Sequence, residues 1–366
     1  MTAAPAPRFG VEACARFLLA PDAGERLSPA GDATAPEGCG PGAVLLDLAA
    51  SPARELQRFG EAVARALPLL PCVTIALTGP DPSPACKRLA EVCDVAVEDR
   101  SKAEPLLERV GRAPIASLAF VQLLRGAPRA SVQEGLVAES FVYSTLQAGR
   151  EFGDWLASRR RRRRRSRVQS GPAVHFERVR DCLEIRLMRP DKHNAFSRAM
   201  RDGLCEALQL ALADPSIEQV VLSGEGDSFC SGGDLDEFGS LPDPAQGHAI
   251  RTTRSPALLL SQLADRVRVS VHGACIGAGA ELPAFTSHVV ASEDAYFELP
   301  EVALGLVPGA GGTVSLPNRI GRQRTAWLGL SGARIDARTA LAWGLVDEVR
   351  LGQHPDPHDG RDVHAG

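Results

Sequence analysis

Two periodicities of apolar residues alternate along the second half of the chain. Residues 197–214 carry apolar side chains at helical spacing after Ser197, which can serve as the N-cap: Met200, Leu204, Leu208 and Leu212. Short apolar runs predict strands: VHFERV, CLEIRLMRP, EQVVLSG, VRVSVHGA and HVVAS. The first two flank Arg180 and Asp181 and predict a hairpin. Because strands alternate with helices, we expect an α/β fold with parallel pairing.

The first half shows a fainter version of the same order. AVLLDLA and CVTIALTG predict strands, and ELQRFGEAVARAL between them predicts a helix. The segment LAEVCDVAVEDRSKAEPL resembles LPAFTSHVVASEDAYFELP of the second half. A diverged internal duplication and chance similarity between alanine-rich segments both explain this likeness, and the choice stays open. A duplicated first copy has lost the glycine-rich loops and the carboxylates described below.

A run of arginines divides the chain. SRRRRRRRSRVQSGP spans residues 158–172, and a block of like charges repels itself and remains solvated, which favours a linker. The alternative is an RNA-binding arm, but no aromatic residues are interleaved for base stacking. We therefore divide the chain into an N-terminal α/β and helical region (1–157), a linker (158–172), a catalytic domain (173–350) and a disordered tail (351–366).

The composition argues against several classes of protein, including general nucleic-acid-binding and membrane-spanning proteins. Of 366 residues, 44% are hydrophobic and 23% are charged, and the formal net charge of -4 argues against a general nucleic-acid-binding surface. Nine cysteines without CxxC spacing fit reduced thiols and give no metal signature. No apolar run reaches the roughly 18 residues of a membrane span, and the start of the chain is a poor signal peptide. We expect a cytoplasmic protein without a metal or a membrane partner.

Two stretches place small residues where a backbone could approach a ligand. In GDSFCSGGDLDEF (226–238), two glycines allow a tight turn, and Asp234 is predicted to cap a following helix. In VHGACIGAGAELPAF (271–285), a strand leads to a predicted helix start with Glu281 in its first turn. The simpler alternatives are a plain strand-to-helix turn and an acidic residue that suits the helix dipole.

A third stretch, ELPEVALGLVPGAGGT (298–313), places Glu301 directly after Pro300 and before an apolar, glycine-rich segment. Taken alone, Glu301 fits a solvated loop residue. The three stretches together, with RPDKHNAFS before them and the segment ending in GLVDEV after them, resemble the crotonase superfamily of enoyl-CoA hydratases and isomerases. The resemblance covers residues 174–349. It implies a crotonase-like ββα spiral, with the N-terminal region as a separate α/β and helical part.

The resemblance also implies the chemistry. A thioester oxygen that gains negative charge would be held by the backbone amides of Ser231 and Ala278. Glu281 would activate water and Glu301 would exchange the proton at the α-carbon, in a cleft dry enough to raise the pKa of Glu301. Keeping both glutamates favours hydration, because isomerases of the family often keep only the later one. Isomerases and other enolate-forming relatives, including cofactor-free oxygenases, remain alternatives.

The remaining expectations concern binding. The resemblance assigns coenzyme A contacts to Lys192, His193 and Ala195, the last two through backbone atoms. Further substrate contacts are expected at Gly232, Gly233, Asp234, Gly277, Pro308 and Gly309. Coenzyme A belongs to the substrate, so no other cofactor is expected. The family forms trimers and hexamers, and we expect a homo-oligomer. A non-catalytic protein that binds RNA or an acidic partner through the Arg159–Arg165 run is the alternative from another class.

One departure from the family affects the fold. Relatives continue for several helices after the segment that matches GLVDEV, whereas this chain has only residues 351–366 there. The segments APIASLAFVQLLRG and SVQEGLVAESFVYSTLQAGREFGDWLASR resemble those missing helices in order and character. We therefore predict that residues 112–158 pack against the 174–349 core in their place, in a permuted or subunit-swapped arrangement.

Overall fold

The computed structural model describes residues 5–30, 40–127, 131–160, 171–240 and 243–350. Before residue 161 its strands are β1 (Arg8–Phe9), β2 (Ala43–Asp47), β3 (Val73–Leu77) and β4 (Val95–Val97). The helices of this part are α1 (Val11–Leu18), α2 (Ala23–Leu27), α3 (Ala53–Ala66), α4 (Pro84–Ala90), α5 (Arg100–Arg112), α6 (Pro114–Gly126), α7 (Val132–Gln147) and α8 (Arg150–Arg160).

After residue 170 the strands are β5 (Val174–Val179), β6 (Cys182–Leu187), β7 (Gln219–Gly224), β8 (Val267–Val271), β9 (Ala274–Ile276), β10 (His288–Ser292), β11 (Tyr296–Glu298), β12 (Ile335–Asp336) and β13 (Glu348–Arg350). The helices are α9 (Arg198–Ala213), α10 (Pro244–Thr253), α11 (Pro256–Gln262), α12 (Ala278–Glu281), α13 (Gly312–Ile320), α14 (Arg322–Ser331) and α15 (Ala337–Trp343).

The main sheet of the second half has the strand order β13-β10-β8-β7-β6-β5. β5 and β6 form the predicted antiparallel hairpin, and the pairings from β6 to β13 are parallel. The Ser197 hydroxyl accepts a hydrogen bond from the Met200 amide (3.2 Å) and caps α9, as predicted. A smaller sheet, β12-β11-β9, stands beside it. The predicted α/β class is confirmed.

The first half contains a second parallel sheet, in the order β1-β2-β3-β4. Both central strands are buried along their whole length, which is why AVLLD and VTIAL are mostly apolar, with only Asp47 and Thr74 polar. The predicted helix between them is α3. The sequential order of this sheet matches that of β6-β7-β8-β10, although an internal duplication stays a prediction.

The helical segment α6–α8 packs against the second half, as predicted for residues 112–158, whereas its replacement of the relatives' last helices stays a prediction. Phe120 and Leu124 of α6 share one buried cluster with apolar residues beyond the arginine run: Val302, Leu306, Val307, Ala326 and Leu330. The hydroxyl of Ser144 on α7 donates to the carbonyl of Pro244 (2.7 Å). Exchange of these helices between subunits stays untested.

Two local predictions need correction. No helix follows Asp234, because residues 235–239 form turns. Its carboxylate instead pairs with Arg189 (2.8 Å), and both side chains are buried. The helix that precedes the arginine run continues to Arg160, past the predicted linker start at residue 158. Most of the linker and the whole of the 351–366 tail lie outside the described residues. No helix among those described is long and apolar enough to cross a membrane.

Residues 168–366 produced alone are expected to be insoluble or poorly folded. Without α6 the cluster around Leu306 and Val307 faces water, and each large apolar side chain loses about 1.5–3 kcal/mol of burial free energy. Several such losses approach a typical net stability of about 5–15 kcal/mol. Co-expression with residues 1–160 should restore solubility, measured by gel filtration and circular dichroism. A soluble, active 168–366 fragment would show that the upstream helices are dispensable.

Candidate active site

Both glutamates singled out by the sequence line one cavity of about 220 Å³, together with residues of α7 and loops of the second half. Its wall also contains Gly233 and Ala278, and aromatic side chains enclose it: Tyr143, Phe196 and Phe238. The cavity therefore combines two acids, backbone from two glycine-rich segments and largely apolar walls. This combination is typical of sites that bind a small ligand and exclude water.

Glu281 is the last residue of α12 and is 2% exposed. Its Oε2 accepts hydrogen bonds from the amides of Ala310 (2.7 Å) and Gly312 (2.8 Å). Burial raises the pKa of this carboxyl, and the negative charges of Glu301 and Glu139 raise it further, whereas the two amides lower it. One oxygen of Glu281 is thus fixed by the backbone, and Oε1 has no hydrogen-bond partner among the described atoms.

Glu301 begins a short 3₁₀ turn, Glu301–Leu304, directly after Pro300. Its Oε2 is fully enclosed and has no hydrogen-bond partner among the described residues. Burial raises the pKa of Glu301 to about 8, with smaller contributions from the carboxylates of Glu139 and Glu298. The predicted direction of this pKa shift is confirmed. An enclosed oxygen without a partner is costly, and it indicates a place where a ligand or water belongs.

The glycine segment before Glu281 brings the backbone close to Glu301. Gly277 has φ 51°, and a Cβ on it would overlap the Glu301 carboxylate. Ala278, the next residue, opens α12, and its amide donates no hydrogen bond within the described structure. That amide therefore remains available to a ligand in the cavity. The helix itself has four residues, so the predicted helix-dipole contribution is small.

Ser231 does not fit its predicted role. Its amide donates to the carbonyl of His193 (2.9 Å), so it is already used within the protein. Gly233, two residues further on, lies in the cavity wall, and no hydrogen bond from its amide occurs among the described residues. Its neighbour Gly232 has φ 88°, which sharpens the turn. Gly233 is therefore the better candidate to pair with Ala278.

The sequence analysis did not identify Glu139, a third buried glutamate, which comes from α7 and is 3% exposed. Its carboxylate accepts hydrogen bonds from the amides of Gly311 (2.7 Å) and Thr313 (2.9 Å) and from the Thr313 hydroxyl (2.7 Å). Burial raises its pKa to about 7, against the effect of these bonds. A signal was present, because Glu139 follows Leu136 at helical spacing on the buried side of α7.

The segment 309–313 thus has carboxylates on two sides. The amides of Ala310 and Gly312 point to Glu281, and those of Gly311 and Thr313 point to Glu139. Gly311 is the N-cap of α13 with φ 100°, so the amides at this helix start have no intrahelical partners and turn toward the two carboxylates. A Cβ at Gly312 would lie 2.6 Å from Cγ of Glu281, so only glycine fits there. The upstream helix therefore fixes the segment that holds Glu281.

The predicted coenzyme A contacts Lys192, His193 and Ala195 lie outside the cavity that Glu281 and Glu301 line. Lys192 pairs with Asp236 and lies 3.9 Å from Asp234. The carbonyl of His193 accepts from Ser231, and the carbonyl of Ala195 accepts from Arg189 (2.6 Å). These two carbonyls already have partners within the protein, so contacts to a ligand there stay predictions.

Three further predicted residues border the cavity or support its walls. Asp234 lines it while paired with Arg189, and a substrate contact there stays a prediction. Gly309 lines it, and a Cβ there would meet the Tyr143 ring at 2.5 Å. Pro308 is buried next to it. Among the described residues, no group of three or more His, Cys, Asp or Glu side chains is arranged to hold a metal ion.

Protein stability is expected to fall as the pH rises from about 5 to about 8. The folded-state pKa values of Glu139 (about 7) and Glu301 (about 8) lie above the ordinary glutamate value of 4.5, so folding retains protons that the unfolded chain releases. Each retained proton lowers the unfolding free energy by about 1.4 kcal/mol per pH unit in this window. Glu301→Gln should make the loss less steep and raise the melting temperature at pH 8 but not at pH 5. Parallel melting curves for the two proteins across this range would contradict the assignment.

Comparison with known proteins identifies a family for the second half of the chain. A family model described as enoyl-CoA hydratase/isomerase matches residues 177–352. 2,3-Dehydroadipyl-CoA hydratase of Escherichia coli (strain K12) is 36% identical over 46% of this chain and 65% of its own length. Mevalonyl-coenzyme A hydratase of Beauveria bassiana is 32% identical over 49% of this chain and 68% of its own length.

Among solved structures, enoyl-CoA hydratase from Thermoplasma volcanium GSS1 shares 33% sequence identity over 49% of this chain and 72% of that chain, with a TM-score of 0.45. The chain spans just under two thirds of the length of the Escherichia coli relative. The similarity to the Beauveria relative extends over more than two thirds of that protein at over 30% identity. The chain therefore belongs to the enoyl-CoA hydratase/isomerase family.

Proposed function

We propose that the protein is an enoyl-CoA hydratase, which adds water across the 2,3 double bond of an acyl-CoA thioester. The observation that carries the proposal is the single cavity lined by Glu281 and Glu301 together with Gly233 and Ala278. Family membership and relatives named as hydratases support the substrate class. The Ala278 methyl group adds bulk near the thioester position.

The two amides would act on the thioester carbonyl. When water adds at C3, negative charge develops on the carbonyl oxygen as an enolate forms. Two preorganised N–H donors stabilise that charge, and removal of one such donor typically raises a barrier by about 3–4 kcal/mol. The apolar walls strengthen this effect, because charge interactions are stronger where water is excluded.

The two carboxyl groups would divide the proton transfers. The two amides on Oε2 of Glu281 favour its ionised form, against the burial and neighbouring charges that raise its pKa, and its Oε1 can then accept a proton from the attacking water. Glu301 lacks such donors on Oε2 and has a pKa of about 8, so it is suited to donate a proton to C2. The water oxygen bonds to C3, one water proton passes to Glu281, and the enolate collapses as Glu301 protonates C2.

Purified full-length protein should hydrate crotonyl-CoA, followed as loss of the enoyl absorbance, to give a 3-hydroxyacyl-CoA. In D₂O the product should carry one deuterium at C2. An isomerase would instead convert a 3-enoyl-CoA to the 2-enoyl isomer without forming a hydroxyl group, and mass spectrometry distinguishes the two products. Failure to hydrate any enoyl-CoA thioester while isomerising one would overturn the hydratase assignment. The oligomeric state, predicted to be a trimer or hexamer, is measurable on the same material.

A further inference from the structure

A second cavity of about 140 Å³ adjoins the first and shares part of its wall: Phe196, Arg201, Arg251, Gly309 and Ala310. Apolar residues form most of the rest of its lining, among them Leu136, Ala257 and Leu282. At about 10–15 Å³ per water-sized position, it offers on the order of ten such positions. A short acyl chain fits this volume, whereas a nucleotide does not.

An arginine without an acidic partner stands between the two cavities. Arg251 of α10 is partly buried, and its guanidinium lies over the Tyr143 ring, 4.7 Å from the centroid. Its neutral partners are the side chain and carbonyl of Ser140, the Ser144 hydroxyl and, at 3.5 Å, Gln147. Among the described residues it forms no ion pair. Removing a cation from water without a counter-charge is unfavourable, and burial lowers the pKa of Arg251 accordingly.

The charges around Arg251 leave a net positive cavity wall. Arg201 and Arg254 both line the second cavity and both pair with Asp202, at 2.8 Å and 3.4 Å. Glu139 also lines it, but its two oxygens accept hydrogen bonds from residues 311 and 313. The three arginines are therefore balanced by only two carboxylates. Arg201 and Arg254 share Asp202, and the oxygens of Glu139 already accept hydrogen bonds from residues 311 and 313.

We propose that Arg251 recognises an anionic group at the far end of the acyl chain, so that the preferred substrate is a thioester of a dicarboxylic acid. The thioester would lie between Glu281 and Glu301, and the chain would extend past Gly309 into the second cavity. Nη1 of Arg251, whose partner among the described residues is Gln147 at 3.5 Å, keeps donor capacity for a carboxylate oxygen. The inference rests on the proposed function for the position of the thioester.

A coenzyme A phosphate is the other anion that Arg251 could meet. The cavity argues against it, because the phosphates carry a nucleotide that needs an open surface. Arg198 suits that role better, since its side chain is 58% exposed and it lines the first cavity. The two sources of negative charge differ in an observable way. An acyl carboxylate is present in some thioesters and absent from others, whereas the phosphates are common to all of them.

The test compares two thioesters of equal chain length, hex-2-enedioyl-CoA and hex-2-enoyl-CoA, which differ only in the terminal carboxylate. Wild-type kcat/KM should favour the diacid thioester by about 10- to 100-fold, the range expected for hydrogen bonds to a charged group. Arg251→Met should reduce this ratio to about one, and Arg251→Lys should retain part of it. Arg178→Met, which removes a distant surface cation, should leave the ratio unchanged.

Several outcomes would overturn the proposal: no wild-type preference, or an equal loss for both thioesters in Arg251→Met, as a phosphate contact or a structural role would produce. If Arg251→Met does not fold, Arg251→Lys is the deciding variant. A kcat/KM ratio between the two thioesters equal to that of the wild type would then contradict the proposal. Calorimetric binding of the saturated thioesters adipoyl-CoA and hexanoyl-CoA separates this question from catalysis. A binding preference for adipoyl-CoA without turnover of any enoyl-CoA would retain the anion subsite and refute the hydratase.

Discussion

Glu301→Gln is expected to lower kcat for enoyl-CoA hydration by about 10²–10⁴-fold, the usual contribution of a general acid or base. The glutamine is nearly isosteric and keeps the cavity filled, but it cannot donate a carboxylic acid proton to C2. Because the side chain acts on the reacting carbon rather than on the coenzyme A part, KM should change little. Steady-state kinetics with crotonyl-CoA measures both constants.

The chain offers a matched control in Glu298, three residues earlier. Its carboxylate pairs with Arg334 (2.8 Å) on the other side of the same segment. Glu298→Gln should therefore leave kcat within a few-fold of the wild-type value. If both substitutions lower kcat equally, the loss results from a disturbance of the 298–301 segment and not from removal of the acid at position 301. An unaltered kcat in Glu301→Gln would remove this residue from the mechanism.

The second large effect is expected from Glu281→Gln, which should lower the hydration rate by a similar factor of about 10²–10⁴. The amide oxygen of glutamine can still accept from Ala310 and Gly312, so the 309–313 segment should stay in place. The substituted side chain can no longer take a proton from water. Isomerisation of a 3-enoyl-CoA, which needs one group to move a proton, should persist through Glu301 and is measured on the same preparation.

The two reactions together make Glu281→Gln informative. Loss of hydration with retained isomerisation supports separate roles for the two acids. Loss of both, with a lowered melting temperature, would mean that Glu281 mainly supports the fold. Retained hydration would contradict the assignment of water activation to this residue, whatever happens to isomerisation.

Local features of the fold followed from the sequence. Ser197 caps α9, and Arg180 turns the hairpin with φ 60°, because both depend on a few neighbouring residues. Buried parallel strands were recognisable because the residues of β2 and β3 are mostly apolar and come in short continuous runs. The two acids of the cavity were found because their motifs carry strong family resemblance, not because any local rule identifies a catalytic glutamate.

The predictions failed where the contacts of a residue involve partners far away in the sequence. Nothing near Ser231 in the sequence shows that its amide is taken by His193, and nothing near Asp234 shows that Arg189 holds it. The helix predicted after Asp234 was the local expectation, and a buried ion pair formed instead. The sequence analysis missed Glu139 and Arg251 for the same reason, because their contacts depend on packing between α7 and the second half.

The double attachment of residues 309–313 affects how the protein matures. Glu139 and Gly311 are separated by 172 positions along the chain, and Glu139 and Thr313 by 174. Such distant pairs form slowly, because a large loop must close first. During synthesis, α7 leaves the ribosome long before its partner segment exists, and its acid must stay hydrated meanwhile. The cavity that Glu281 and Glu301 line is therefore expected to be completed late in synthesis and folding.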